Sequence, residues 1–376
     1  MRLNFEYKNS RTQMTRGCFY VRLRGVLIQL QDIRKIQKLN DNPQLDRLLS
    51  GFGLTLPEET EDNLGIYEDG ELIGCGFLKG NMLQGLAVSG KHQGSGLAVT
   101  LVTGLIKLAA AKGITYLRVI SKPEMAGKLS DIGMRVVADA SPHAVFLEYG
   151  EASINEQINH FKDLSADKEE CCACVVVNCN PFTLGHRWLI ETASQSSRWV
   201  WVIVVEEDRS EFLFSDRLQM VINGTKDLNN IEVISGGEYI ISSTTFPAYF
   251  IKSVDLARAQ ASLDAAVFAK LIAPSLKIVK RFVGSEPQNA TTNIYNQVLQ
   301  EILPANGIEV VEIPRIELNG SVISASAVRA CLVNGNFSAV REMVPESTWQ
   351  YLHTEEMLAK IKERLNNTKK RVTSET

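Results

Sequence analysis

The chain has 376 residues, 45% hydrophobic and 22% charged, an ordinary globular composition that excludes a disordered or low-complexity protein. Single hydrophobic cores stop growing near ~250–300 residues, so at least two domains are expected. Forty basic against 43 acidic side chains leave a net charge of −3, the wrong sign for a protein that neutralises nucleic-acid phosphates; no nucleic-acid partner is expected.

No membrane is expected either. Residues 1–10 lack the apolar core of a signal peptide, and apolar runs such as 199–205 fall far short of the roughly 20 residues that span a bilayer. Seven cysteines without the spacing of a small disulfide scaffold fit reduced thiols and a cytoplasmic location. Cys171, Cys172, Cys174 and Cys179 are close in sequence, but Cys172 and Cys174 lie along a valine-rich apolar run where cysteine behaves as a small hydrophobe. With no interleaved histidine and no paired C-x-x-C spacing, a packed strand is expected there and not a metal site.

In chain order, a first domain is expected over 1–150. It opens with helical patterns at 33–39 and 45–49. Strands at 64–67 and 72–78 flank the hairpin signal Glu68-Asp69-Gly70, and further strands fall at 82–88, 116–120 and 144–149. Apolar residues at helical spacing over 97–111 stop at Gly113. The polar stretch 151–170 reads as a helical connector. From 171 to 352, strands at 173–177, 199–205, 231–234, 278–283 and 308–313 alternate with helices, among them 186–194 and 217–228. Strands apolar throughout, alternating with helices, predict a parallel sheet covered on both faces. Residues 353–376 read as a charged, solvated helical tail. The fold class is α/β: an α+β domain followed by a Rossmann-like parallel-sheet domain.

Two junctions carry chemistry. Between the strand at 82–88 and the helix at 97–111 lies Gln93-Gly94-Ser95-Gly96-Leu97-Ala98. Glycines at a strand-to-helix junction let backbone N–H groups approach an anion, and the helix N-terminus adds roughly half a positive charge. The missing Lys-Ser or Lys-Thr pair argues against a P-loop. The spelling Q-x-x-G-x-A, through Gln93, Gly94, Gly96 and Ala98, resembles the pyrophosphate-binding turn of GNAT acetyltransferases, as does the strand order around it. That family commonly places a tyrosine as general acid in the stretch corresponding to 123–133, which holds none here. A pantetheine-like thiol carrier is therefore the expected ligand, in place of ordinary acetyl-CoA chemistry.

The second junction is Asn178-Cys179-Asn180-Pro181-Phe182-Thr183-Leu184-Gly185-His186. Pro181 and Gly185 shape a strand-to-helix turn, Gly185 leaves room for a nucleotide, and His186 opens the helix. There an imidazole and a hydroxyl can face the charge that builds up on a departing phosphate. This is the T-x-G-H form of the H-x-G-H motif of nucleotidyltransferases, similar to that of pantetheine-phosphate adenylyltransferases. Far downstream, Ile323-Ser324-Ala325-Ser326-Ala327-Val328-Arg329 resembles the I-S-S-T-x-x-R signature of the same enzymes. Ser324 caps the predicted helix, and Ser326 and Arg329 fall on its first turns, so a hydroxyl and a guanidinium converge on one triphosphate.

Beyond these motifs, the 212–217 stretch, the segment 243–250, Arg281 to Pro287 with Tyr295-Asn296, Ser121-Lys122-Pro123 and the order of the two domains are similar to the citrate lyase ligase family, over roughly 64–352. The resemblance implies an AMP-forming acid–thiol ligase. ATP and acetate give acetyl-adenylate and pyrophosphate, and the acetyl group passes to the prosthetic thiol of the citrate lyase acyl carrier protein. It implies Thr183, His186 and Arg329 as catalytic residues. Asn180, Pro181, Phe182, Gly185, Gly284, Glu286, Ser324 and Ser326 would bind ATP, and the turn at 93–98 would bind the carrier. Asp208 and Arg217 are weaker candidates, since a charged pair there is more often structural. Mg²⁺ is expected through the ATP phosphates, with no protein ligand. Three other readings compete: a nucleotidyltransferase acting on a phosphate-bearing metabolite, a GNAT acetyltransferase with a nucleotide-sensing module, and a non-enzymatic scaffold.

Overall fold

The computed structural model describes residues 19–23, 26–30, 32–57, 59–150, 154–206, 210–241, 246, 253–285, 290–318, 321–355 and 357. Glu286, Asp208, most of the 243–250 segment and most of the tail lie outside the described residues. The chain divides into two compact units, the first dominated by residues up to 136 and the second by residues from 153 onward.

A short antiparallel hairpin, β1 (Phe19–Leu23) and β2 (Val26–Leu30), precedes a seven-stranded sheet. Its strands are β3 (Asp32–Arg34), β4 (Asp62–Glu68), β5 (Glu71–Lys79), β6 (Met82–Val88), β7 (Tyr116–Ser121), β8 (Arg135–Ala140) and β9 (Ala144–Gly150). They lie in the order 3-4-5-6-7-9-8. The helical pattern expected over 33–39 gives way to β3, an edge strand in which Ile33 stands opposite Ile66. Beyond it, the Ile36 N–H donates to Asn63 Oδ1 at 2.6 Å. Pairing with a neighbour overrides local spacing in so short a segment. The pattern at 45–49 lies within α1 (Pro43–Ser50), whose N-terminus combines Pro43 with an Asn42 side chain that accepts from the Leu45 N–H. Its Leu45, Leu48 and Leu49 are buried with Leu72, Cys75 and Phe77 of β5.

β3 to β6 run antiparallel to their neighbours, whereas β6 and β7 are parallel, joined by the crossover helix α2 (Leu97–Ala111). That pair meets only at Met82 with Arg118 and Leu83 with Val119, so the strands part beside the start of α2. A short helix, α3 (Ala126–Ser130), follows β7.

The second unit opens with α4 (Ile154–Leu164) and continues β10 (Cys172–Val177), α5 (Leu184–Gln195), β11 (Val200–Val204), α6 (Phe214–Thr225) and β12 (Ile231–Ser235). Next come α7 (Ser253–Val267), α8 (Ala273–Ser275), β13 (Ile278–Gly284), α9 (Ala290–Ile302) and β14 (Glu309–Ile313). A small hairpin of β15 (Glu317–Leu318) and β16 (Ser321–Val322) leads into α10 (Ala325–Val333), α11 (Phe337–Met343) and α12 (Glu346–Leu352). The five long strands form an all-parallel sheet in the order 12-11-10-13-14.

Every residue of β11 is buried, as a strand covered on both faces requires. One face, with Val175, Val177, Val202, Val204 and Phe282, packs on Ile190 of α5, Met220 and Val221 of α6, and Val328 and Leu332 of α10. The other carries Cys174 and Trp201, whose indole N–H donates to the Leu276 carbonyl at 2.9 Å just after α8. Cys172 and Cys174 are thus buried strand residues. The chain runs outward from β10 through β11 to β12, then crosses back to β13 and β14. This reversal opens a crevice between the carboxyl ends of β10 and β13, where open parallel sheets bind ligands.

Candidate active site

That crevice is a cavity of about 550 Å³, lined by the ends of β10, β13 and β14 and by the first residues of α5 and α10. Its lining includes Arg281, Arg315 and His186, and no carboxylate among the described residues. The positive charge of the described lining, at this cavity size, suits a negatively charged small molecule.

The chain leaves β10 through Cys179, in the left-handed region at φ 54°, and a cis Asn180–Pro181 peptide, and then enters α5. Thr183 is the N-cap. Its hydroxyl accepts from the His186 N–H, and its own N–H donates to His186 Nδ1 at 3.0 Å, a reciprocal capping box. Because Nδ1 accepts, the imidazole proton sits on Nε2, which has no partner among the described residues. Burial, with the Arg315 guanidinium adding to it, pushes the His186 pKa down from 6.5 to about 4. The ring is therefore a neutral Nε2–H donor on the cavity wall, beside the uncapped N–H groups of the first turn. The Phe182 ring is fully buried and stacks on the imidazole at 6.1 Å. Gly185 is explained by a close approach: a Cβ there would lie 3.3 Å from the Ile323 carbonyl oxygen, so glycine lets the two motifs touch.

Ser324 caps α10 by accepting from the Ala327 N–H at 3.1 Å, and Ser324 and Ser326 line the cavity. Arg329 stands behind them. It donates to the Asn180 carbonyl at 2.6 Å and to Ser326 Oγ at 3.1 Å, and pairs with Glu211 at 3.1 Å. Asn180 in turn donates to Glu211 at 2.5 Å and accepts from the Phe212 N–H at 3.1 Å. Arg329 and Asn180 thus join segments 149 residues apart into one platform. Of the residues singled out by sequence, Thr183, Gly185, His186, Gly284, Ser324 and Ser326 line the cavity. Asn180, Pro181, Phe182 and Arg329 form the layer supporting it, and Glu286 is outside the described residues.

Arg217 has a different task. It is fully buried and donates to the carbonyls of Asn178, Phe212 and Val205 and to the Asn178 side chain, at 2.7–3.2 Å, tying the ends of β10 and β11 together. Sequence reasoning missed Arg315, Gln260, Thr291 and Thr292 on the cavity wall. The signal for Arg315 was a cation directly after an apolar strand, in Ile313-Pro314-Arg315.

In the first unit, Gly94 (φ 81°) and Gly96 (φ 85°) hold left-handed conformations that side chains strain to adopt, and α2 begins at Gly96 with no side chain capping it. A Cβ on either glycine would meet nothing within 4 Å, so the turn faces open space at the point where β6 and β7 part. Gln93 and Ala98 belong to the same turn. Among the described residues no cluster of three or more His, Cys, Asp or Glu could hold a metal, and no helix is long and apolar enough to cross a membrane.

The sequence model of the citrate lyase ligase C-terminal domain matches residues 172–352, and that of the acetyltransferase (GNAT) family matches 30–126. A citrate (pro-3S)-lyase ligase from Klebsiella pneumoniae is 36% identical over 330 residues, 85% of this chain and 96% of its own. The chain belongs to the citrate lyase ligase family. Another member, from Escherichia coli (strain K12), is 34% identical over 315 residues, 82% of this chain and 89% of its own. Among solved structures, N-acetylglutamate synthase from Neisseria gonorrhoeae, complexed with coenzyme A and N-acetyl-glutamate, aligns with 32% of this chain and 35% of its own, at 20% identity and TM-score 0.28. As a citrate lyase ligase, the chain is an enzyme of the ligase class, with a GNAT-type first half and a Rossmann-like second half.

Proposed function

We propose that the protein activates acetate with ATP and passes the acetyl group to the thiol of the citrate lyase acyl carrier protein's prosthetic group. The observation that carries this reading is the cavity at the sheet's reversal point, with no carboxylate among its described lining residues, flanked by two helix N-termini bearing Thr183 with His186 and Ser324 with Ser326. The names of the relatives supply the acceptor.

In the first step a carboxylate oxygen of acetate attacks the α-phosphorus, the bond to the bridging oxygen breaks, and pyrophosphate leaves. A carboxylate is already a nucleophile, so no general base is needed, and the protein's contribution is positioning and charge stabilisation. Neutral His186 donates Nε2–H to a non-bridging oxygen, and the first-turn N–H groups of α5 share that charge. Ser324 and Ser326 hold the β- and γ-phosphates with Arg315, while Arg329 fixes Ser326 and the Asn180 carbonyl in register. Gly284 lets the nucleotide lie against the end of β13. The lining residues suit a nucleotide that brings Mg²⁺ on its own phosphates, since they offer no carboxylate; the metal would neutralise phosphate charge there. In the second step the carrier's sulfur attacks the acetyl carbonyl, AMP leaves, and the thiol proton is lost. The turn at Gln93, Gly94, Gly96 and Ala98 docks the phosphate of the pantetheine-like arm. The buried, unpaired thiols of Cys75, Cys172, Cys174 and Cys179 suit a reducing, cytoplasmic setting.

Incubation with ATP, acetate and the thiol-bearing carrier tests this. AMP, pyrophosphate and the acetyl thioester should form in equal amounts. Release of ADP and phosphate, or acetylation from acetyl-CoA without ATP, would overturn it.

A further inference from the structure

Arg281 lies inside β13, three residues before Gly284. It is 2% exposed, yet its side chain lines the cavity. Nη2 donates to Tyr295 Oη at 2.9 Å and stands 3.7 Å from Asp264 Oδ2. The Tyr295 hydroxyl donates to that same carboxylate at 2.5 Å, and the other Asp264 oxygen accepts from the Ile241 N–H at 3.0 Å. The guanidinium lies over the Phe268 ring, 4.4 Å from its centroid. Nε and Nη1, both buried and with three N–H groups between them, have no acceptor among the described residues. Burial opposes the charge of Arg281, but the Tyr295 and Asp264 oxygens outweigh it and hold the pKa above its ordinary value. The cation is therefore permanent and electrically balanced by Asp264, but its hydrogen bonds are incomplete. Buried polar groups in native proteins are almost always satisfied, so such a group marks a place for a missing acceptor.

We propose that Arg281 is the residue that recognises the carboxylate of the acid substrate, a reading that rests on the acid activation described above. One carboxylate oxygen accepts from the free N–H groups of Arg281, leaving the other to attack the α-phosphate held by α5. A carboxylate fits this position better than a nucleotide phosphate for two reasons. The phosphate donors are gathered at the starts of α5 and α10, whereas Arg281 belongs to β13. And Asp264 beside Arg281 leaves the charge near zero, which suits a monoanion and penalises a polyanion. Arg281 lies over the Phe268 ring with the Tyr295 hydroxyl at its edge, and the same cavity is lined by Val283, Ile240 and Ile241, apolar surfaces suited to a short alkyl group. Arg281 would therefore select a small monocarboxylate.

The test measures ATP–pyrophosphate exchange by the full chain as acetate and ATP are varied separately, for wild type, Arg281→Lys and Tyr295→Phe, with melting temperatures alongside. If Arg281 holds the carboxylate, half-saturating acetate rises about tenfold or more in Arg281→Lys, while half-saturating ATP stays within about twofold. Tyr295→Phe, which removes only the hydroxyl that orients the guanidinium, shifts acetate in the same direction by less. Should Arg281→Lys melt early, Tyr295→Phe decides alone. An unchanged acetate requirement in a stably folded variant, or a parallel rise for ATP, would overturn the proposal, the second result assigning Arg281 to a phosphate. Wild type lacking acid-dependent exchange altogether would instead overturn the acid-activation reading itself.

Discussion

His186 shows how a single residue can help cap a helix and still present a donor to a cavity. Its Nδ1 is committed to the Thr183 N–H, which fixes the tautomer and turns Nε2–H toward the cavity. His186→Gln retains a side chain that can close the capping box but loses the imidazole donor. Pyrophosphate exchange should slow by about 2–4 kcal/mol of barrier with little change in melting temperature at pH 8. The pH dependence has a definite sign. The unfolded imidazole binds its proton near 6.5 and the folded one only near 4, so the unfolded state holds more protons in between, and stability falls as pH drops through that window. Urea midpoints measured from pH 7 to pH 4 should decline less steeply for His186→Gln than for wild type. Arg217→Met makes a contrasting case. It strands the carbonyls of Asn178, Phe212 and Val205 and partly empties a fully buried site, so it should cost at least about 3 kcal/mol in urea unfolding. Thr183, His186 and Ser324 were legible in the sequence because caps depend on spacing within one turn. Arg281 and Arg315 were not, because their position depends on which strands neighbour β10, and local spacing does not encode strand order.

Among the elements, those with a strong period were the readable ones. β10 and β11 are apolar at nearly every position, and the apolar run over 97–111 coincides with α2. β8 went unseen because it is a largely exposed edge strand with little apolar alternation, and β3 because three residues carry no period. The start of α2 makes the sharpest claim at this scale. Its glycines face open space where β6 and β7 part, and nothing in the packing of the first unit's described residues explains them. Gly96→Val, which strains a φ of 85° and covers the first-turn N–H groups, should cut the rate of acetyl transfer to the carrier at least tenfold. Acetate-dependent pyrophosphate exchange should be unaffected. Rapid-quench assay of each half-reaction separates the two, and equal loss in both would remove the turn from carrier binding.

At the scale of the whole molecule, the proposed acid–thiol ligation assigns one half-reaction to the crevice of the second unit and the other to the turn at 93–98 in the first. Arg329 and Gly185 show why two sequence motifs so far apart act together. One reaches the Asn180 carbonyl, and the other leaves room for the Ile323 carbonyl, so the starts of α5 and α10 share one crevice. The proposal requires that crevice to make an acyl-adenylate without any help from the carrier. Labelled pyrophosphate should therefore enter ATP when the protein is mixed with ATP, Mg²⁺ and acetate alone, and stop entering when acetate is withdrawn. Exchange that ignores acetate, or that begins only when a phosphate-bearing acceptor replaces it, would contradict the account.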